Sequence, residues 1–294
     1  MQQSARAGNV AERVISSRSV PLWRLFDPVC LVQALWGNRG LARQLIAREV
    51  RARYRGSYLG FLWSLITPLT TLAVYTFVFG FIFKARFGQS VSGGIGEFAV
   101  TMYCGLIAYN ILAESMAYAP MLFLRNPNLV NKVVFPLEMT SVGVLGSSLV
   151  SAASGFAVVA VGAAVLSDHP GWAAFLLPLM VLPIAMVGLG VSWFLATLGV
   201  FVRDIGNSVA IITQMLLFAT PIFYPAEVVA KSRFHIVLII NPMSGMVTNV
   251  RRVLLWSRLP DWRQWGWHIA LGVVFMIVGY AAFRKGRRGF ADVV

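Results

Sequence analysis

Charge is what this sequence has least of: 12% of its 294 residues are Asp, Glu, Lys or Arg, against 58% hydrophobic ones. A soluble domain of this size needs more polar surface than that, so the composition excludes one and suits about six membrane-crossing helices with modest loops. Acidic residues are scarcer still, 11 against 25 basic, for a net charge of +14. The basic surplus sits at the ends of apolar runs, where it meets anionic lipid and sets orientation, which excludes nucleic acid as a partner. There are two cysteines, Cys30 in a polar leader and Cys104 inside an apolar run, and no disulfide framework follows from them. His169, His235 and His268 lie far apart and form no H-x-x-x-H or H-E-x-x-H pattern, so a metal centre is not expected. No G-x-x-x-x-G-K-[ST] loop is present to cradle nucleotide phosphates, and no G-x-S-x-G elbow to carry a nucleophile. If this chain pumps, ATP is hydrolysed by a separate subunit.

What is present is a border. Arg48, Arg51, Arg53 and Arg55 precede an uncharged apolar run from Leu59 to Phe83, which places the edge of the bilayer near Gly56. The first 57 residues carry ten arginines with no long apolar core and no small-residue cleavage site, so they read as a cytosolic leader and not a signal peptide. Met1 to Ser19 is expected to be disordered. From Pro28 to Arg55 the pattern is helical, with Leu41, Leu45, Ile46 and Val50 on one side. That predicts either an amphipathic helix on the cytosolic leaflet or a charged topology anchor.

Spans are expected at about Tyr58 to Phe83, kinked at Pro68, then Glu97 to Phe123, Met139 to Leu166, Ala173 to Phe201, Gly206 to Tyr224 and Gln264 to Phe283. External turns hold Lys84, Arg86 and Gly93, and Asp168 to Gly171. The small residues Gly143, Gly146, Ser147, Ser151, Ser154, Gly155 and Gly162 of the third span allow another helix to approach closely. Between Val228 and Trp256 the chain is semi-apolar but broken at Asn241 and Pro242, and Arg251 and Arg252 fall in the middle of its second half. Those lengths suit two short external re-entrant helices, because a seventh crossing would bury two arginines. Seventeen of the 25 Lys and Arg residues then fall on the side of the termini. The expected fold is an all-α polytopic membrane protein with a leader over residues 1–57 and a six-span domain over 58–294, both termini cytosolic.

Three features could carry function. The loop Arg125 to Pro136, R-N-P-N-L-V-N-K-V-V-F-P, reads as a short helix with apolar residues on one side, suited either to docking a partner or to lying on the membrane as a hairpin. Spans one and five carry Trp63, Tyr75, Phe77, Phe79, Phe81, Phe83, Phe218, Phe223 and Tyr224, whose flat rings suit sugar faces or, equally, lipid and helix neighbours. Tyr75, Phe79 and Phe83 recur every four residues, which would stack them on one helix face. Glu114 is the one acidic residue well inside a span; it either faces a cavity or a partner, or stays protonated or snorkels. Arg251 and Arg252, placed externally, could meet anionic sugar, pyrophosphate or lipid headgroups.

Four segments, in order, resemble the permease subunits of polysaccharide (O-antigen, capsule, teichoic acid) ABC exporters of the ABC-2 type: R-Y-R-G-S-Y-L-G-F-L-W-S-L-I-T-P at Arg53 to Pro68, the Arg125 to Pro136 segment, R-D-I at Arg203 to Ile205, and P-I-F-Y-P at Pro221 to Pro225 followed by I-N-P at Ile240 to Pro242. The resemblance runs from about Leu41 to the tail. It implies a homodimer bound to two copies of an ATP-binding-cassette ATPase in a bacterial inner membrane, with ATP and Mg on the ATPase and no cofactor on this chain. It further implies an ATPase-docking coupling helix comprising Arg125, Asn126, Pro127, Asn128, Leu129, Lys132, Phe135 and Pro136, with Arg48 and Arg51 in a second contact. It implies a conduit for lipid-linked glycan lined by Trp63, Tyr75, Phe79, Phe83, Phe218, Phe223, Tyr224 and Glu114, and an external gate containing Asn241, Pro242, Arg251 and Arg252. The rivals are an exporter of the same architecture for drugs or lipids, and a membrane-embedded transferase acting on lipid-linked sugars.

Overall fold

A computed structural model describes residues 28–82, 94–125, 135–166, 172–202 and 204–290, and every regular element among them is helical. Helices α1 (Pro28–Gly37) and α2 (Arg39–Tyr54) precede α3 (Trp63–Tyr75), which continues as a π-helical segment, Thr76–Ile82. There follow α4 (Ile95–Tyr118), α5 (Glu138–Leu166), α6 (Leu177–Phe201) and α7 (Ile205–Ala219). Three shorter helices, α8 (Ala226–Ala230), α9 (His235–Ile240) and α10 (Pro242–Leu254), lead to α11 (Trp262–Gly286). The expectations for residues 1–19, for Phe83, Lys84, Arg86 and Gly93, for residues 126–134 and 168–171, and for Arg203 lie outside the described residues, as does the Phe79 side chain.

Five helical stretches are long and apolar enough to cross a membrane: Trp63–Ile82, Ile95–Met121, Glu138–Val165, Trp172–Phe201 and Trp262–Gly286. The first begins five residues later than expected. Gly56 and Gly60 adopt left-handed conformations, φ 81° and 51°, which break the chain between α2 and α3 and which a side chain would strain. Pro68 lies within α3, whereas the departure from α-helical geometry comes later, at the π segment, where Thr76 Oγ1 donates to Leu72 O at 2.6 Å. The stretch expected as span five is the 15-residue α7, roughly 22 Å long. It stops because Thr220, preceding Pro221, is extended, with ψ 136°. Asn241 and Pro242 interrupt the chain as anticipated, yet the segment around them forms three helices and not two.

α4 is the axis of the bundle, buried almost continuously from Phe98 to Tyr109. It packs on α5, α6, α7 and α10. The most extensive contact joins α6 and α11, and glycine is what permits it. A Cβ on Gly190 would stand 2.7 Å from the backbone nitrogen of Met276, and Gly279 faces Gly190 in return. Two indole N–H groups fasten neighbouring helices: Trp193 Nε1 donates to Glu138 O and Trp265 Nε1 to Leu179 O, each at 3.0 Å.

Gly190→Ala therefore forces α6 and α11 apart and is expected to lower stability by about 1–3 kcal/mol. Gly266→Ala, where a Cβ meets nothing within 4 Å, leaves the protein unchanged or slightly more stable. Thermal unfolding of the two purified variants, followed by fluorescence size exclusion, distinguishes them.

Candidate functional site

The leader helix α2 places the first functional group. Its stripe of Leu45 and Ile46 lies against Gly143 and Gly146 of α5, and Leu45 is 5% exposed. The third-span glycines thus admit α2, and the stripe expected to face the leaflet faces protein. Small residues on α5 let the two axes approach, and burial against α5 replaces burial in lipid. The two helices advance together, so Arg53, near the end of α2, arrives at Ser151. Its Nη1 donates to Ser151 Oγ at 2.7 Å and its Nη2 to Glu114 Oε2 at 2.8 Å. Ser148 Oγ donates to the same carboxylate oxygen at 2.6 Å. Glu114 is thus a half-buried, ion-paired carboxylate on α4, joined to Arg53 across 61 residues. Beside the pair lies a pocket of about 460 Å³ between α3, α4 and α5 whose lining includes Trp63, Ser64, Tyr103 and Asn110.

A second cluster forms one helix length away. Tyr75 at the end of α3 packs against Phe223 with ring centroids 5.9 Å apart, Phe218 lies 5.7 Å from Phe223, and Tyr224 Oη donates to Phe218 O at 2.8 Å. Of the aromatic residues singled out on spans one and five, Trp63 lies beside Glu114, and Tyr75 lies with Phe218, Phe223 and Tyr224. The row expected at Tyr75, Phe79 and Phe83 rests on Phe83 and the Phe79 side chain, which lie outside the described residues. Phe77 and Phe81 are the stacked pair, 5.9 Å apart and 11° from parallel, while Tyr75 turns to Phe223.

Arg251 is the clearest correction. It was expected to present its charge externally; instead it is 3% exposed and surrounded by backbone carbonyls. Its Nε donates to Thr101 O at 3.0 Å, Nη1 to Pro221 O at 2.7 Å and Nη2 to Ile222 O at 3.1 Å. α10 is amphipathic, and Arg251 lies on the face that it buries with Met243, Val247 and Val250. Gly105 on α4 leaves room for the guanidinium. That charge is enclosed by protein. Arg252 is half-buried and donates from Nε to Leu259 O at 3.2 Å. Asn241 caps α10, accepting from Met243 N at 3.0 Å and donating to Thr220 Oγ1 at 2.9 Å, and Pro242 occupies the first turn.

Of the Arg125 to Pro136 segment, the described residues are its two ends. Arg125 is exposed, Phe135 packs on the core, and Pro136 is half-buried. The flanks are anchored: Phe123 rests on Phe290 and Phe283 at 5.2 and 5.8 Å, and Arg287 pairs with Glu138 at 3.3 Å. On α2, Arg48 pairs with Glu49 at 2.8 Å and Arg51 donates from Nε to Ala47 O at 3.1 Å; both border a shallow exposed groove with Arg55. Among the described residues, no three His, Cys, Asp or Glu side chains gather as a metal site would require.

Comparison with known proteins places this architecture. Residues 41–255 match the ABC-2 type transporter family. The chain belongs to that family. It is 28% identical over 265 residues to the O-antigen export system permease protein RfbA of Myxococcus xanthus, covering 90% of this chain and 99% of that one. Two Klebsiella pneumoniae proteins of the same name are 23% and 25% identical, each covering 84% of this chain and 92% of its own length. As an ABC-2 type chain with five long apolar helices, the protein is a multi-pass membrane protein.

Sequence reading of this ABC-2 chain missed the pairing of Arg53, which it treated as part of the border and of the first resembling segment. The signal was present: a lone carboxylate inside a span calls for a nearby cation. It also misplaced Arg251, for which no local signal exists. Arg251→Met removes three charge-assisted bonds, two of them to Pro221 O and Ile222 O in the break after α7, so the expected cost is about 3 kcal/mol or more. Arg252→Met is expected to stay within about 0.5 kcal/mol. Thermal midpoints of the purified variants test the contrast.

Proposed function

We propose that this chain is the permease subunit of an ATP-driven exporter that moves a lipid-linked polysaccharide across the bacterial inner membrane. The observation that carries the reading is the end-to-end similarity to O-antigen export permeases, over 99% of the Myxococcus xanthus relative. The sequence has no phosphate loop of its own, consistent with a separate ATPase that binds ATP and Mg.

In this reading two copies of the chain pair with two copies of the ATPase. The exposure of α3 supports the pairing: 6% of its most apolar stretch is buried within the single chain, against 78% for α4. Ile211, Met215 and Phe218 of α7 are likewise exposed, at 63, 67 and 58%. Facing copies of α3 and α7 would form the conduit, with Tyr75, Phe218, Phe223 and Tyr224 offering ring faces over which a sugar chain slides without tight binding. α7 together with Thr220 to Tyr224 supplies the fifth of six crossings, both termini being cytosolic by the excess of Lys and Arg on that side. The segment α8 to α10 forms the external gate, in which Phe234, Ile239 and Ile240, exposed by 71, 74 and 74%, contact lipid or the glycan path.

Residues 125–136 dock in the ATPase, with Arg48 and Arg51 as a second contact. Closure of the ATPase pair pushes this segment, and the anchored flanks at Phe123, Phe135 and Arg287 transmit the push to the bundle. Substituting Asp at Leu129 and Phe135 is expected to abolish both co-purification of the ATPase and surface O-antigen in a complemented deletion strain. Unimpaired export by that variant contradicts the docking. ATP hydrolysis by the purified complex should rise on adding lipid-linked glycan; stimulation by drugs or phospholipid alone would favour the rival exporter.

A further inference from the structure

We propose that the pocket beside Arg53 and Glu114 is a saccharide-binding site, where glycosyl units of the substrate are held before they enter the conduit; this rests on the transport reading above. Four observations carry it. The volume, about 460 Å³, lies in the range of small-molecule sites. Among the described residues its charged lining is Arg53 and Glu114, which neutralise each other at 2.8 Å, so these side chains give the pocket no net charge with which to draw an anion. The remaining polar lining is hydroxyl and amide, groups that both donate and accept, as sugar hydroxyls do. Ser64, 6% exposed, lines this pocket with an Oγ that has no hydrogen-bond partner among the described residues. A buried hydroxyl left unsatisfied is costly, and a rotamer turn of Ser64 toward the pocket that it lines would let a ligand hydroxyl satisfy it.

The walls fit the same ligand. Trp63, 42% exposed, and Tyr103, 5% exposed, bring aromatic surface for the C–H face of a pyranose ring. Glu114 already accepts bonds from Arg53 and Ser148, which fixes its carboxylate, and a carboxylate has lone pairs to spare for a sugar hydroxyl. The pocket sits where α2 ends and α3 begins, on the arginine-rich side of span one, which the transport reading makes the loading side.

Cysteine protection tests this on the full chain in nanodiscs, with Cys30 and Cys104 replaced by alanine. Ser64→Cys reports from inside the pocket, and Asn110→Cys from its exposed edge, where folding is not at risk. The probes are the O-polysaccharide released by mild acid from the lipopolysaccharide of the strain that carries this chain, polyethylene glycol of equal hydrodynamic size, and inorganic pyrophosphate. The polysaccharide is expected to slow N-ethylmaleimide labelling at both positions by about fivefold, with neither of the other probes doing so. Equal labelling with and without polysaccharide overturns the proposal, as does protection by pyrophosphate or by polyethylene glycol. If Ser64→Cys does not fold, Asn110→Cys decides alone. Deleting the chain separates the two readings. Loss of surface O-antigen together with unprotected cysteines sinks the pocket only, and retained surface O-antigen sinks the transport reading whatever the labelling.

Discussion

A guanidinium among carbonyl oxygens lets a broken backbone persist inside this apolar bundle. In a bilayer, peptide groups have no water to turn to, so every carbonyl freed by a helix break must find a donor in the protein. α7 breaks at Pro221, and Arg251 supplies donors to Pro221 O and Ile222 O, adding a third bond to Thr101 O on α4. One side chain thereby ties α10, α4 and the segment after α7 into a unit. That unit sets the position of Phe223 and Tyr224 directly beyond it, and so of the aromatic cluster with Tyr75.

The other constraint is distance between axes. Without a hydrophobic drive between helices in lipid, contact area and close approach must hold the bundle together, and small residues provide both. Gly190 and Gly279 bring α6 onto α11, while Gly143 and Gly146 admit α2. The first pair joins the fourth long span to the last. The second lets a polar, arginine-bearing helix lie beside a span and deliver Arg53 to Glu114. α3 shares little of this packing, which leaves the first span the least buried of the five in the single chain.

These two features divide the molecule along its length. One end holds a charge pair, hydroxyls and a single tryptophan; the other holds stacked rings and exposed aliphatic side chains on α8 and α9. In the proposed transport reading, a polymer of sugars passing from the first to the second would meet directional hydrogen bonds first and weak, sliding contacts afterwards.

Composition and periodicity alone were enough for the membrane class, five of the six expected spans and the interruption at Asn241 and Pro242, because hydrophobic run length and proline act locally. They also marked the third-span glycines as a site of close approach. The choice of partners came only with the tertiary structure. Which helix uses Gly143, which cation meets Glu114 across 61 residues, and which carbonyls surround Arg251 up to 150 residues away depend on how distant elements cross. Sequence spacing carries no record of those crossings, so an arginine that lies across the chain from its acceptors reads as a surface charge until the fold brings the two together.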